Sequence, residues 1–334
     1  MSPVWSPTLA RVPSSPLLDF TGAAGDGARI EAALLAAVRT SDPYLDELAA
    51  HLIVAGGKRL RPVLTVVAAQ VGGGLATDAA IQGGIACELV QTGSLYHDDV
   101  IDESYSRRGV ETVNAKWGNL QAILAGDFLL SRASEIAASL GAEVAGLLAH
   151  TIGRLCEGEI EQLRHTYNSA RPEATYLSSI GGKTAALFST AARIGGLVAE
   201  LPRAQVDALT EFGQAYGMVF QILDDILDIT STEELQGKPV GHDLVEGVYT
   251  LPVLRTLQAG GVAAAELIGL LGKPLEPAER DKALEIVRAN RGVASALETA
   301  TVWADEAVAH LAPLPDTPAT AALRASPHAL LEDV

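Results

Sequence analysis

The sequence predicts an all-α protein. Apolar residues recur every three or four positions along most of the 334 residues, whereas the alternating pattern of half-buried strands is scarce. With 48% hydrophobic residues, the chain has enough apolar side chains to form one large core. No change in composition marks an internal boundary, so we predict a single all-α domain over residues 26–334.

The predicted helices follow this periodicity in chain order. They span 28–55, 60–73, 78–104, 118–139, 142–166, 173–199, 204–230, 247–259, 276–290 and 291–311. Glycine-rich turns separate several of them, most clearly at Gly56-Gly57-Lys58 and from Gly237 to Asp243. Residues 1–25 contain four prolines, so we expect a flexible Pro-rich arm there.

The charge balance disfavours several classes of function. With 41 acidic and 24 basic residues, the formal net charge is −17, which argues against binding to nucleic acids or to anionic lipid surfaces. No apolar run reaches the length of a membrane span, and the N-terminus lacks the pattern of a signal peptide. Cys87 and Cys156 lie in apolar helical contexts, so we expect two small buried side chains in a cytoplasmic protein.

Two acidic clusters with one shared spacing are the strongest functional signal. Each has the form Asp-Asp-x-x-Asp after a mostly apolar run; the clusters are Asp98, Asp99 and Asp102, and Asp224, Asp225 and Asp228. Positions i and i+4 share a helix face, so the outer carboxylates of each cluster should point the same way. Carboxylates this close repel one another, and hard divalent cations relieve that repulsion. An acidic run alone is typical of a solvated surface, but two matching runs beside core-like sequence predict a cage for a Mg²⁺-bound diphosphate.

Basic residues are few, so their grouping is informative. Lys58, Arg59 and Arg61 follow two glycines in a short loop, where backbone can approach a phosphate closely. The other groups are Arg107 and Arg108 after the first acidic cluster, Lys183 and Thr184 at the start of a nearly uncharged helical segment, and Lys238 after the second cluster. Each group alone is also typical of a solvated surface or of pairing with a neighbouring carboxylate.

Taken together and in this order, the motifs resemble those of the all-trans polyprenyl diphosphate synthases, which join isoprenyl diphosphates head to tail. The resemblance runs from about Gly56 to Pro252. It rests on the segments GGKRLRP, ELVQTGSLYHDDVIDESYSRRG, LAGDFLL, GGKTAALF, FQILDDILD and GKPVGHDLVEGVYTLP. It implies an isoprenoid-synthase-type bundle of antiparallel helices around a deep central cavity, usually in a homodimer, and no stable membrane insertion.

The resemblance also implies the chemistry and the residues that perform it. Three Mg²⁺ ions would be held by Asp98, Asp102, Asp224 and Asp228, with Asp99 and Asp225 in support. Departure of diphosphate from a geranyl, farnesyl or geranylgeranyl substrate would leave an allylic cation, which the double bond of isopentenyl diphosphate attacks. The implied ligands of the allylic diphosphate are Arg107, Lys183, Thr184, Gln221 and Lys238. Those of isopentenyl diphosphate are Gly57, Lys58, Arg61, Gln91 and Arg108.

Several positions bear on the affinity for the diphosphate substrates and on the length of the product. Gln91 stands where many members of the family carry His, and Val248 where many carry a second diphosphate-binding Lys. By the resemblance, the residue five positions before the first aspartate limits chain growth; here it is Gly93, beside Ser94 and one turn from Val90. None of these is aromatic, so we expect an open tunnel and a medium or long product. Alternatively, Gly93 only permits two helices to pack closely.

Other functions remain open from the sequence. A geranylgeranyl diphosphate synthase would use the same site with a shorter product. A class I terpene cyclase shares one acidic motif and the magnesium chemistry, but it lacks the isopentenyl diphosphate site that the GGKRLRP segment predicts. A non-catalytic subunit of a heteromeric synthase usually lacks one acidic cluster, whereas both are present here.

Overall fold

The computed structural model describes residues 15–232 and 240–332, and these are helical nearly throughout, which confirms the predicted all-α class. The first part of the chain forms α1 (Pro16–Ala23), α2 (Asp26–Ala37), α3 (Pro43–Val54), α4 (Leu60–Ala69), α5 (Asp78–Ile101), α6 (Val113–Trp117), α7 (Asn119–Ser139) and α8 (Ala142–Arg164). A short antiparallel pair, β1 (Ser106–Arg107) and β2 (Val110–Glu111), lies between α5 and α6.

The second part of the chain continues the bundle. Its helices are α9 (Glu173–Ile180), α10 (Ala186–Val198), α11 (Arg203–Thr230), α12 (His242–Glu246), α13 (Leu251–Gln258), α14 (Gly261–Leu270), α15 (Pro277–Arg288), α16 (Gly292–His310) and α17 (Pro318–Leu331). A π-helical segment, Gly181–Ala185, connects α9 to α10. None of the helices in the described ranges is long and apolar enough to cross a bilayer.

Two long helices occupy the centre of the bundle. α5 packs against α4 and α7, and α11 packs against α10 and α16. Small residues let these helices approach closely: a Cβ placed on Gly217 would lie 2.5 Å from Ala185 Cα. The acidic clusters lie at the C-terminal ends of α5 and α11, so the packing of these helices fixes where the carboxylates meet.

The predicted helix 28–55 is wrong, because the chain divides there into α2 and α3. Pro43 occupies the first turn of α3, and the Asp42 side chain accepts a hydrogen bond from the Tyr44 N–H at 2.9 Å. An aspartate cap followed by proline starts a new helix, since proline has no N–H to offer to a preceding turn. Periodicity alone therefore joined two helices that a cap separates.

Helices α1, α6, α12, α14 and α17 lie outside the predicted set. α1 falls within the segment expected to be a flexible arm, yet its Leu17 is fully buried and the helix packs against α4 and α17. The flexible-arm prediction is therefore wrong for Pro16–Ala23; residues 1–14 lie outside the described part of the chain. Cys87 is buried as expected, whereas Cys156 is exposed, contrary to the prediction.

Candidate active site

Both acidic clusters face one cavity of about 810 Å³ between α5, α8 and α11. Asp98 and Asp102 line it from the end of α5, and Asp224 and Asp225 line it from the end of α11. The other predicted site residues on its wall are Gly57, Lys58, Arg61, Gln91, Ser94, Arg107, Arg108, Lys183, Thr184 and Gln221. Lys238 lies outside the described residues. The structure thus brings together motifs that are spread over more than 160 positions of the sequence.

The first cluster divides into cavity-facing and buried carboxylates. Asp98 and Asp102 both line the cavity, as the i, i+4 spacing predicts. Burial raises the pKa of Asp98 to about 6, which shows how poorly this position tolerates an uncompensated negative charge. Asp99 is 1% exposed and faces the other way, where its Oδ1 lies 2.6 Å from Arg107 Nε. Asp99 therefore orients Arg107 beside the cavity.

The second cluster divides in the same way. Asp224 is exposed on the cavity wall, whereas Asp228 is buried and does not line the cavity. The Asp228 carboxylate accepts hydrogen bonds from the backbone N–H groups of His242 and Asp243, both at 3.2 Å. The prediction that both outer carboxylates face the cavity is thus wrong for Asp228, because this side chain holds the start of α12.

Asp225 lies at the centre of a buried hydrogen-bond network. The Tyr176 hydroxyl donates to its Oδ2 at 2.5 Å, and Gln221 Nε2 donates to its Oδ1 at 2.8 Å. The Thr184 hydroxyl in turn donates to Gln221 Oε1 at 2.7 Å. Burial raises the pKa of Asp225 well above its ordinary range. The network links the second cluster to the GGKT segment and fixes the orientation of its side chains.

Lys183 projects from the π-helical segment toward the first cluster. Its Nζ lies 2.5 Å from Glu159 Oε2 on α8. Burial lowers the pKa of Lys183, but the carboxylates of Glu159, Asp98 and Asp102 raise it above its ordinary value. Single π-helical turns often occur at functional sites, and this one turns the lysine into the cavity. Sequence reasoning missed Glu159, since it carries no motif of its own on a helix rich in charge.

Close contact between glycines positions this segment. A Cβ on Gly158 would lie 2.5 Å from the Lys183 backbone nitrogen and 2.7 Å from Ser179 O. A Cβ on Gly182 would lie 2.8 Å from Arg154 O. Because no side chain fits between them, α8 and the π-helical segment meet backbone to backbone. This contact holds Glu159 and Lys183 within reach of one another.

All three basic residues of the GGKRLRP loop line the cavity, but the Arg59 guanidinium is taken up by contacts within the fold. Arg59 has a left-handed backbone (φ 49°), and its guanidinium donates to Glu31 at 2.8 Å, to Glu88 at 3.2 Å and to Ile53 O at 2.7 Å. Arg59 thereby anchors the loop inside the fold. Lys58 and Arg61 both line the cavity on either side of it. Burial lowers the pKa of Arg61 to about 10, and its Nε has no hydrogen-bond partner among the described residues.

The predicted chain-length residues do not all face the cavity. Ser94 lines it, but Gly93 and Val90 do not. A Cβ on Gly93 would lie 3.0 Å from Gly126 O and 3.3 Å from Leu130 Cγ, both on α7. This glycine therefore permits α5 and α7 to pack closely, and the open tunnel beside it stays a prediction.

Known proteins that resemble this chain agree with the motifs that line the cavity. The family described as polyprenyl synthetase matches residues 42–287. The chain belongs to the polyprenyl synthetase family. It is 40% identical over 299 residues to a nonaprenyl diphosphate synthase of Mycobacterium tuberculosis, a match that covers 89% of each chain. The family and these relatives make the chain a prenyltransferase of the medium- or long-chain type.

Two further similarities inform the site and its assembly. A heptaprenyl diphosphate synthase component 2 of Geobacillus stearothermophilus is 40% identical over 300 residues, covering 90% of this chain and 93% of the relative. A Caulobacter crescentus polyprenyl synthase, solved with calcium and isoprenyl diphosphate, superposes with a TM-score of 0.89 at 33% identity. That superposition covers 96% of this chain and 98% of the other. The two acidic clusters thus lie in a fold that binds isoprenyl diphosphate in a related protein.

Proposed function

We propose that this prenyltransferase condenses isopentenyl diphosphate with an allylic diphosphate to make an all-trans polyprenyl diphosphate, releasing diphosphate. The observation that carries the proposal is the shared cavity, which has acidic clusters on two helices and basic groups on two sides. The acidic side suits cations that accompany an allylic diphosphate, and the basic groups of GGKRLRP and Arg108 suit a second diphosphate. A terpene cyclase would need no second basic group.

Divalent cations fit the acidic wall. Asp98 and Asp102 line the cavity from the first cluster, and Asp224 lines it from the second. Burial raises the pKa of Asp98 to about 6, so a cation beside this carboxylate would stabilise its charged form. Asp98, Asp102 and Asp224 would hold the cations together with the diphosphate, because divalent cations in such sites take both carboxylate and phosphate ligands. We propose magnesium, three ions per site, which would neutralise the charge of the leaving diphosphate.

The protein's own groups act on the departing diphosphate. Lys183 and Arg107 place positive charge near the first cluster, and Thr184 and Gln221 offer polar groups on the same wall. The positive charges of Lys183 and Arg107 stabilise the negative charge that grows as the carbon–oxygen bond of the allylic substrate breaks. The double bond of isopentenyl diphosphate then attacks the allylic cation, and loss of a proton ends the cycle. The orientation of Arg107 by Asp99 serves this step, because the guanidinium is held before substrate enters.

Isopentenyl diphosphate occupies the basic side of the cavity in this proposal. Lys58, Arg61 and Arg108 line that side together with Gln91 and Gly57. Arg61 is the best placed to gain from a phosphate, because its buried Nε has no partner among the described residues. The Arg61 guanidinium carbon lies 4.4 Å from the centre of the Phe188 ring, which fixes its direction.

The product is a medium or long chain, and the relatives at 40% identity carry names for nine- and seven-unit products. Apolar side chains also line the cavity; they include Leu95, Leu155, Ile160, Leu163 and Phe220. Such a wall suits a hydrocarbon chain. A geranylgeranyl product is the alternative, and it would require a floor within this apolar region.

A second copy of the chain is the proposed partner. Leu120, Ile123 and Leu124 on α7 are 65%, 42% and 57% exposed, so this helix presents an apolar face. The Geobacillus relative is named as one component of a synthase, which makes a different subunit the alternative. Sedimentation of the purified chain separates these cases: a homodimer sediments at twice the monomer mass, and a chain that needs another subunit stays monomeric.

The deciding experiment is a product assay. Purified protein is incubated with isopentenyl diphosphate, magnesium and geranyl, farnesyl or geranylgeranyl diphosphate, and the products are sized by chromatography. We expect products longer than geranylgeranyl diphosphate, and none in the Asp98→Ala variant. Cyclic hydrocarbons would instead support a cyclase, and an absence of product in every combination would support a non-catalytic subunit.

A further inference from the structure

Arg171 is a buried cation with few partners on the wall of the cavity. Its side chain is 4% exposed, yet it lines the same cavity as Asp224 and Asp225. One guanidinium nitrogen donates to the Ser179 hydroxyl at 2.5 Å, and its Nε has no hydrogen-bond partner among the residues described. The carboxylates of Asp225 and Glu161 lie close enough to attract this guanidinium, but neither accepts a hydrogen bond from its Nε. A buried donor without an acceptor is costly, so an acceptor that reaches the Nε would stabilise it.

The surroundings of Arg171 hold it beside the second acidic cluster. Its guanidinium carbon lies 5.5 Å from the centre of the Tyr176 ring, and the hydroxyl of that ring donates to Asp225. Asp225 in turn accepts from Gln221, which also accepts from Thr184. Arg171 thus stands at the end of the network that connects the second cluster to the GGKT segment.

The loop that carries Arg171 is fixed against the segment before Val248. The Tyr167 N–H donates to Gly247 O at 2.8 Å, and the Tyr167 hydroxyl donates to Val245 O at 3.3 Å. The Tyr167 ring covers Gly247 so closely that a Cβ there would lie 2.4 Å from its Cδ1. Val248 follows immediately and lines the cavity, as does Thr250. The loop that carries Arg171 thus packs against the segment that leads to Val248, and both Arg171 and Val248 line the cavity.

We propose that Arg171 binds the diphosphate of the allylic substrate on the Val248 side of the cavity. The proposal rests on the function proposed above and adds a residue that none of the sequence motifs contains. The incoming phosphate oxygens supply an acceptor for the unpaired Nε, and the guanidinium fork can donate two bonds to one phosphate. Ser179 and Tyr176 fix its direction before the ligand arrives.

The alternative is that Arg171 only holds the loop before α9. Arg255 offers a matched control, because its Nε also has no described partner while another of its nitrogens bonds to Glu173 at 2.6 Å, and it does not line the cavity. Arg171→Met and Arg255→Met therefore each remove an arginine near α9 whose guanidinium is only partly hydrogen-bonded. Loss of the diphosphate contact affects the first variant alone.

The test measures binding of farnesyl diphosphate by calorimetry, with magnesium and without isopentenyl diphosphate. We expect Arg171→Met to weaken this binding by about 10- to 100-fold, the effect of losing one or two charge-assisted bonds, while the Michaelis constant for isopentenyl diphosphate stays within about twofold. Arg255→Met should bind as the wild type does. Arg171→Lys should retain more affinity than Arg171→Met, because it keeps the charge.

A second change separates binding from loop stability. Val248→Lys added to Arg171→Met should restore part of the affinity, since it returns a cation to the same wall without repairing the loop. If Arg171→Met does not fold, Arg171→Gln replaces it, because glutamine retains a donor for Ser179. Four outcomes would each overturn the proposal. In two of them, Arg171→Met leaves farnesyl diphosphate binding unchanged, or Arg255→Met weakens it equally. In the other two, Arg171→Met weakens the binding of both substrates equally, or Val248→Lys restores no affinity. Wild-type protein that binds no farnesyl diphosphate would instead overturn the proposed function.

Discussion

Replacing Gly158 with alanine should weaken both the fold and the handling of the allylic substrate. The added methyl would lie 2.5 Å from the Lys183 backbone nitrogen, where ordinary contact begins near 3.4 Å. Helix α8 and the π-helical segment would have to separate by most of an ångström. Overpacking of this kind costs about 1–3 kcal/mol, against which alanine returns about 0.4–1 kcal/mol through its helix propensity. The net effect is a loss of stability.

The separation of α8 from the π-helical segment would also move side chains of the candidate active site. Lys183 and Glu159 lie 2.5 Å apart because the two backbones touch at Gly158 and Gly182. A shift approaching one ångström in a positioning group lowers turnover strongly, so we expect kcat/KM for farnesyl diphosphate to fall by about 10- to 100-fold. The Michaelis constant for isopentenyl diphosphate should change little, since its proposed ligands lie on other elements.

Gly153 on the same helix is the matched control. Nothing lies within 4 Å of a Cβ placed there, so Gly153→Ala should be as stable as the wild type or more stable, by up to about 1 kcal/mol. Urea unfolding followed by circular dichroism measures the stability of both variants. Steady-state kinetics, with each substrate varied in turn, measures kcat/KM for farnesyl diphosphate and the Michaelis constant for isopentenyl diphosphate. If Gly158→Ala matches Gly153→Ala in midpoint and in kinetics, the backbone contact does not position Lys183.

Three further outcomes are expected. Asp98→Asn and Asp224→Asn should each lower kcat/KM by at least about 100-fold, because each removes charge that neutralises cations; near-normal turnover in either variant, or in wild-type protein with excess chelator, would contradict the metal proposal. Lys58→Ala should raise the Michaelis constant mainly for isopentenyl diphosphate and Lys183→Ala mainly for the allylic substrate; equal effects on both substrates would refute this division. Tyr176→Phe should destabilise the fold by about 1–3 kcal/mol in urea, because it leaves a buried oxygen of Asp225 without its donor, whereas an unchanged midpoint would mean that this hydrogen bond adds nothing.

Much of this architecture could be predicted from the sequence. Periodicity gave the fold class and most helices, because a buried face must recur every three to four residues in any helical bundle. The spacing of the acidic clusters predicted that Asp98 and Asp102 share a face, and both line the cavity. The order of the motifs predicted that basic residues far apart in the sequence, such as Lys58 and Lys183, lie at one site, and both line the cavity. These features depend on local chemistry, which the sequence contains.

The features that the sequence did not reveal depend on which neighbour a side chain meets. Asp228 has the same spacing as Asp102, yet the following loop folds back onto it and offers two N–H groups. Gly93 faces α7 and not the cavity, which no pattern within α5 could reveal. Arg59 and Arg61 look alike in the GGKRLRP segment, but a left-handed backbone turns Arg59 toward Glu31 and Glu88. Arg171 lies in an irregular loop, where periodicity carries no information.

Both acidic clusters lie at the C-terminal ends of their helices, and this position adds to their negative charge. The first occupies the last turn of the 24-residue α5, and the second lies in the last two turns of the 28-residue α11. The backbone dipoles of a helix place partial negative charge at its C-terminus, so each cluster extends a terminus that is already negative. Packing of the bundle forces these two termini together against their repulsion. The site is therefore selective for the charge of what enters: a bare diphosphate is repelled at this wall, whereas a diphosphate that carries divalent cations is drawn to it.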